Sequence, residues 1–205
     1  QDTIADLKIV LTRVEAELAT VQGQQQENKK AYEALKEKHD TKSSRLELLK
    51  EMQKNYEGFF EGVRQFLLQR DPIAFGGIFG VVADIVRSDP RYEVALEVAL
   101  GNRLQDILVD NEDTAQRAIN FLKEQNLGRA TFVALSKVRG QLAQNVPNGA
   151  PVASRLVQCE ERYRNVVDHL LGQVVVADNM AQAIKIRDQL SLDSGVSRIV
   201  TISGE

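Results

Sequence analysis

The strongest constraint on this chain is a seven-residue apolar repeat across residues 4–63. With Ile4 at position a, the a series reads Ile4, Leu11, Leu18, Gln25, Tyr32, His39, Leu46, Gln53 and Phe60. The d series reads Leu7, Val14, Val21, Asn28, Leu35, Lys42, Leu49, Tyr56 and Val63. A seam recurring every 3.5 residues belongs to supercoiled helices. Such a helix cannot bury its stripe alone, so the pattern demands a helical partner. Residues 1–57 contain no proline and one glycine, Gly23, and read as a single arm. At roughly 1.5 Å per residue, that arm would reach about 85 Å. Polar seam positions at Gln25/Asn28 and His39/Lys42 cost stability but fix register and orientation. Residues 22–30 carry few apolar contacts and are expected to loosen locally.

Composition narrows the classes of function. Hydrophobic residues make up 43% and charged residues 27% of the chain, the balance of a soluble protein. Net charge is −3, from 26 basic and 29 acidic residues, so attraction to nucleic acid needs a local basic patch. Cys159 is the single cysteine, which excludes an intramolecular disulfide and suits a reducing setting. No apolar run approaches the roughly 20 residues that span a bilayer, so no membrane partner is expected. The chain starts at Gln1 and stops at Glu205, and it reads as an excised piece of something longer.

Beyond the arm, the sequence repeats itself. A shift of 71 residues lays Val81-Val-Ala-Asp-Ile-Val86, Arg91-Tyr92 and Leu100-Gly101 on Val152-Ala-Ser-Arg-Leu-Val157, Arg162-Tyr163 and Leu171-Gly172. Further on, Val109-Asp-Asn111 and Ala177-Asp-Asn179 match after a short deletion. Each copy reads as strand, helix, strand, helix, strand. In the first, residues 92–100 predict a helix with Gly101 capping it in the left-handed conformation. Residues 107–109 predict a buried strand, and Asp110 to Asp113 supply N-cap candidates for a helix to about Gln125. Residues 130–135 predict the next strand. The second copy predicts a helix near 161–171, a strand at 174–177, a helix at 179–190 and a strand at 198–202. Residues 136–151, with Pro147, Asn148-Gly149 and Pro151, read as the connection between copies.

In combination these strings resemble one family, the hinge of bacterial structural-maintenance-of-chromosomes (SMC) proteins. The residues that carry the likeness are Gly62-Val-Arg64, Gly76-Gly-Ile-Phe-Gly80, Arg91-Tyr-Glu-Val-Ala-Leu-Glu-Val-Ala-Leu-Gly101 and Leu127-Gly-Arg-Ala-Thr-Phe132 after a coiled-coil arm. The resemblance implies a mixed α/β (α+β) head of two subdomains behind a long coiled-coil helix. It divides the chain into an arm at 1–57, subdomain I at 58–140, a linker at 141–151 and subdomain II at 152–205, incomplete at its end. It also implies a function: a dimerising hinge that joins two arms for chromosome condensation and segregation, cytoplasmic and nucleoid-associated. The implied partners are a second copy, a return helix of the same polypeptide, and DNA, bound weakly. ATP and magnesium would belong to the full-length protein and not to this chain. Family hinges continue past Ile199-Val-Thr-Ile-Ser-Gly-Glu205 into a glycine-rich stretch of the dimer contact. The present chain is therefore expected to dimerise weakly. Two other readings stand beside this one: a DNA-binding module on a coiled-coil spacer, and the hinge of a related DNA-repair ATPase.

The candidate sites are few. Gly76, Gly77 and Gly80 form a glycine turn without the Gly-Lys-Ser/Thr ending of a phosphate loop, so a structural or dimer-interface turn is expected. Lys50, Lys54, Arg64 and Arg70, near the arm's end, are the candidate DNA contacts. Arg87, Arg91, Arg103, Arg129, Lys137 and Arg139 add basic charge elsewhere in the first copy. With 5% aromatic residues, any binding should be phosphate-directed and salt-dependent. His39 and His169 lie far apart and Cys159 is alone, so no metal site is expected. The acid pairs Glu112-Asp113 and Glu160-Glu161 suit helix N-termini. No catalytic constellation is found.

Overall fold

The computed structural model describes residues 2–71 and 74–205. It separates into two units, Gln1–Glu57 and Gly58–Glu205. The first unit is the helix α1 (Asp2–Lys54), 53 residues without interruption, Gly23 included. Leu, Glu, Lys, Gln and Ala dominate it, and each loses little side-chain freedom in a helix. Its seam side chains from Leu7 to Leu49 stand open, Leu7 at 69% and Leu49 at 52% exposure. The side chain of Ile4 lies outside the described residues.

The helix stops before the seven-residue pattern does. Tyr56 has φ 51° and Gly58 φ 88°, neither compatible with a continuing helix. Phe60 and Val63, read as the last seam positions, therefore belong to the second unit, where Val63 is 2% exposed. There they open another helix, α2 (Glu61–Gln69), with its own apolar stripe of Val63, Phe66 and Leu67.

α2 is anchored by Phe66, fully buried, whose ring meets Phe75, Phe121 and Phe132 edge-on at centroid distances of 5.7, 6.1 and 5.3 Å. Its first turn approaches the chain so closely that a Cβ on Gly62 would run into the backbone of Arg129. Glycine is required there by space.

The duplication governs the rest. The first repeat runs β1 (Ile78–Val81), α3 (Val82–Ile85), a 3₁₀ turn Pro90–Tyr92, α4 (Glu93–Leu100), β2 (Ile107–Val109), α5 (Glu112–Glu124) and β3 (Phe132–Ala134). The second runs through 3₁₀ turns Ala153–Leu156 and Glu161–Tyr163, then α6 (Arg164–Leu171), β4 (Val174–Ala177), α7 (Met180–Gln189) and β5 (Arg198–Thr201). The shift of 71 carries α4 onto α6 residue for residue. Asn111 and Asn179 cap α5 and α7 in the same way, each side chain accepting the amide of the residue three positions on (2.9 and 3.0 Å).

Two expectations need correction. The second repeat lacks a first strand. Val152 makes only a lone antiparallel bridge to Val175, where the first repeat pairs Val81 with Ile107 as part of β1. Pro151 explains this, since it has no N–H to give a ladder. The sheets are accordingly β1-β2-β3, with β1 antiparallel and β3 parallel to β2, and the parallel pair β4-β5. Gly101 does cap α4 at positive φ, but at φ 51° and ψ −131°, outside the left-handed helical region. That geometry turns the chain directly into the 3₁₀ segment Gly101–Gln105.

The repeats are fused and do not merely sit side by side. One core takes Val82, Leu96 and Leu100 from the first together with Val157, Val166, Leu171 and Val200 from the second. At its rim Arg87 and Gln158, equivalent under the shift of 71, exchange both backbone hydrogen bonds (3.3 and 2.7 Å). A residue paired with its own counterpart is the mark of an internal two-fold relation. Arg91 to Asp178 (2.7 Å) and Arg198 to the Ala99 carbonyl (3.0 Å) add further cross-links. The connection is also packed: Ala143 and Ala150 are buried, and Ala143 donates to the Gly172 carbonyl at 2.7 Å.

Candidate functional site: two sheet edges

β1 and β3 in the first sheet and β5 in the second each have one hydrogen-bonded neighbour among the described residues, and β4 adds only the Val152 bridge; β3 and β5 are the equivalent edges of the two repeats. Arg198 and Ile202 donate to Gln173 and Ala177 beside them. Alternation along a parallel ladder then turns the amides of Ile199 and Thr201 to the open side. In β3, Leu135 donates to Val109, and by the same alternation the amides of Phe132 and Ala134 face outward. The edges are short, as natural edges are. Part of each is already used: the Thr201 amide reaches the Glu205 carbonyl (3.0 Å), and the Ala134 carbonyl accepts from Lys137 (3.1 Å). Among the described residues, what remains open is the Ile199 amide on one repeat and the Phe132 and Ala134 amides on the other.

The glycine turn is built into the head. Gly77 has φ 90°, and a Cβ there would stand 2.5 Å from the Asp110 carboxylate; its carbonyl accepts the Asp110 amide at 2.8 Å. Gly80, at φ 107°, presses on Asp84 in the same manner, at the bulge of β1. Gly76 is in the turn before β1. Two carboxylates against the loop make it hostile to phosphate, so a nucleotide does not fit here. Among the described residues no group of three or more His, Cys, Asp or Glu side chains is placed to hold a metal.

The basic residues separate. Lys50 and Lys54 lie exposed, one turn apart, on α1. Arg64 and Arg70 belong to the other unit. Arg64 approaches Glu61 at 3.9 Å, and the Nη1 atom of Arg70 is buried without a hydrogen-bond partner. Arg91, Arg103 and Lys137 are engaged with Asp178, Asp106 and Glu112. Within the head, Arg91, Arg103 and Lys137 are thus paired with carboxylates, while Lys50 and Lys54 stand on the separate arm unit.

Sequence reasoning missed two features. Asp106 is 6% exposed and paired to Arg103 at 3.1 Å; burial pushes its carboxyl above the usual range, and the Arg103 hydrogen bond offsets part of this. The other is a depression of about 560 Å³ beside the Arg87–Gln158 pair, where Arg162 stacks on Phe79 and Tyr163 (5.3 and 4.6 Å). Cys159 lines it, and burial raises its thiol pKa, which lowers its reactivity. No motif signals either feature, although Asp106 stands out as the charged residue directly preceding an apolar strand.

A fused α+β duplication whose repeats end in equivalent edge strands, in a chain whose other unit is a long helix with an exposed heptad seam, defines a coiled-coil hinge module. The model of the SMC flexible hinge domain matches residues 75–187, more than half of the chain, and the chain belongs to that family. Among similar proteins, the chromosome partition protein Smc of Halothermothrix orenii is 34% identical over 86% of this chain and 15% of its own length. That of Bacillus subtilis is 30% identical over 94% and 18%. The chain thus spans under a fifth of these relatives. An asymmetric dimer of the Geobacillus stearothermophilus SMC hinge superposes with a TM-score of 0.74 at 34% identity, covering 81% of this chain and 67% of that one. The Pyrococcus furiosus Smc hinge with an extended coiled coil does so at 0.60 and 29%, covering 98% and 72%. Among the described residues no helix is long and apolar enough to cross a membrane.

Proposed function

We propose that this chain is the dimerisation hinge of a chromosome-partitioning SMC protein, with a structural and not a catalytic role. The resemblance to SMC hinges implies a dimer joined through sheet edges of the two subdomains, and the equivalent edges β3 and β5, one on each fused repeat, support it. Two copies related by a two-fold axis can pair β3 of each with β5 of the other, closing a ring with two contacts and satisfying the free backbone groups. The dimeric state of the Geobacillus relative supports it. The open seam of α1 then takes a return helix of the same polypeptide, and ATP and magnesium act in parts of the longer protein outside this chain.

Sedimentation of the head at micromolar concentration tests the reading. A proline at Ile199 removes the outward amide while sparing the β4 ladder, and it is expected to weaken self-association at least tenfold. Unchanged association of that variant would defeat edge pairing. DNA contact by Lys50, Lys54, Arg64 and Arg70 is a subsidiary proposal. Because Arg64 approaches Glu61 and Arg70 is partly buried, the exposed Lys50 and Lys54 carry it. Binding should then fall steeply between about 50 and 200 mM salt.

A further inference from the structure

The two repeats fill equivalent grooves differently. In the second, the half-buried Arg164 at the start of α6 reaches back to the 3₁₀ turn Ala153–Leu156. Its guanidinium donates to the carbonyls of Ser154 (3.0 Å) and Val157 (3.2 Å). Under the shift of 71 these three residues become Glu93, Ala83 and Val86. A carboxylate has no hydrogen to give two carbonyls. The first repeat accordingly has an open depression of about 450 Å³ at this place, lined by Ala83, Val86 and Glu93 together with Glu97. Leu96, Leu100 and Leu104 supply its apolar part. The Arg87 amide, which a longer α3 would give to the Ala83 carbonyl, goes instead to Gln158. The ion pairs described in the head use neither Glu93 nor Glu97. Arg87 is the one cation of the lining, so the acids outnumber it.

We infer that this depression receives an arginine side chain of a partner protein. The second repeat shows the same groove already occupied, with Arg164 bonded to the two counterpart carbonyls. An incoming guanidinium meets the Ala83 and Val86 carbonyls in the same way and gains the carboxylates of Glu93 and Glu97. It is planar, weakly hydrated and rich in donors, which suits several acceptors at once. Its alkyl stem lies against the leucines. The two acids repel phosphate, so the site turns nucleic acid away. None of the lining belongs to β3 or β5, and the inference stands whether or not two copies associate.

Methyl NMR of the whole chain tests this, with Nα-acetyl-arginine methylamide as the probe. The probe should shift the methyl signals of Leu96, Leu100 and Leu104 with a midpoint of about 1–10 mM. The signals of Val167 and Leu171, the counterparts of Leu96 and Leu100 beside Arg164, should stay in place. The citrulline analogue, similar in shape but uncharged, should give no saturable shift. Glu97→Gln should raise the midpoint about tenfold, through loss of one charge-assisted hydrogen bond. Glu93→Arg supplies the guanidinium from within, as Arg164 does, and should abolish binding while circular dichroism shows the fold intact. Equal midpoints for the arginine and citrulline probes, or undiminished binding by Glu93→Arg, would overturn the inference. Spermidine binding as tightly as the arginine probe would also overturn it, by making the depression a general cation site.

Discussion

The first and second repeats match α4 to α6 residue for residue yet are stabilised by different means. The first has a full three-stranded sheet and a private aromatic cluster, in which α2 inserts Phe66 among Phe75, Phe121 and Phe132. The second has two strands and a lone bridge at Val152, and it draws on the shared core and the packed connection instead. Duplication preserved the helices and the asparagine caps, which depend on local sequence. It did not preserve the first strand, which a single proline removes.

The contrast can be broken most severely at Phe66. Phe66→Ala should cost about 4 kcal/mol, since the ring is fully buried. If the repeats lean on separate supports, hydrogen exchange should rise mainly in α2, α5 and β3. Uniform loss of protection through α6 and α7 would show that one support serves both.

A smaller effect lies at Asp106, whose place in the second repeat is taken by the buried Val174. Because burial raises the carboxyl above 3.8, the native state holds the proton more tightly than the unfolded chain. Asp106 therefore favours folding most below pH 3.8, and this advantage is lost as pH rises through the raised native value. Asp106→Asn should abolish that slope in chemical denaturation. A stability gap between native and variant that widens in favour of Asp106 with rising pH would contradict it.

The smallest effect distinguishes Ser154 from its counterpart Ala83. Ser154 is fully buried with a hydroxyl that has no hydrogen-bond partner, whereas Ala83 is exposed. Ser154→Ala should stabilise the head by about 1 kcal/mol by removing an unsatisfied group. A destabilised variant in thermal melts would reveal a partner for that hydroxyl.

Much of this fold was legible in the sequence because it rests on local signals. The arm showed in its heptads, the helix starts in Asn111 and Asn179, and the duplication in matching strings. Strand limits came within two residues. The heptad seam itself runs on to Val63, past Tyr56 and Gly58, whose positive φ breaks the backbone of the arm. The shared core was hidden too, since contacts between repeats leave no periodic trace. Of the site, the glycine turn was visible but its reason was not: Asp110 and Asp84, which crowd Gly77 and Gly80, lie beyond any short motif. The basic residues were found by type alone, and type does not reveal that Arg70 is partly buried.

The reciprocal hydrogen bonds of Arg87 and Gln158 carry an evolutionary consequence. In a half-length ancestor one residue would have stood at both places, pairing with itself across a symmetry axis. The head has the geometry of an isologous homodimer whose protomers were later joined end to end. Each half of such a fused pair is then free to differ, as Pro151 in one and β1 in the other do.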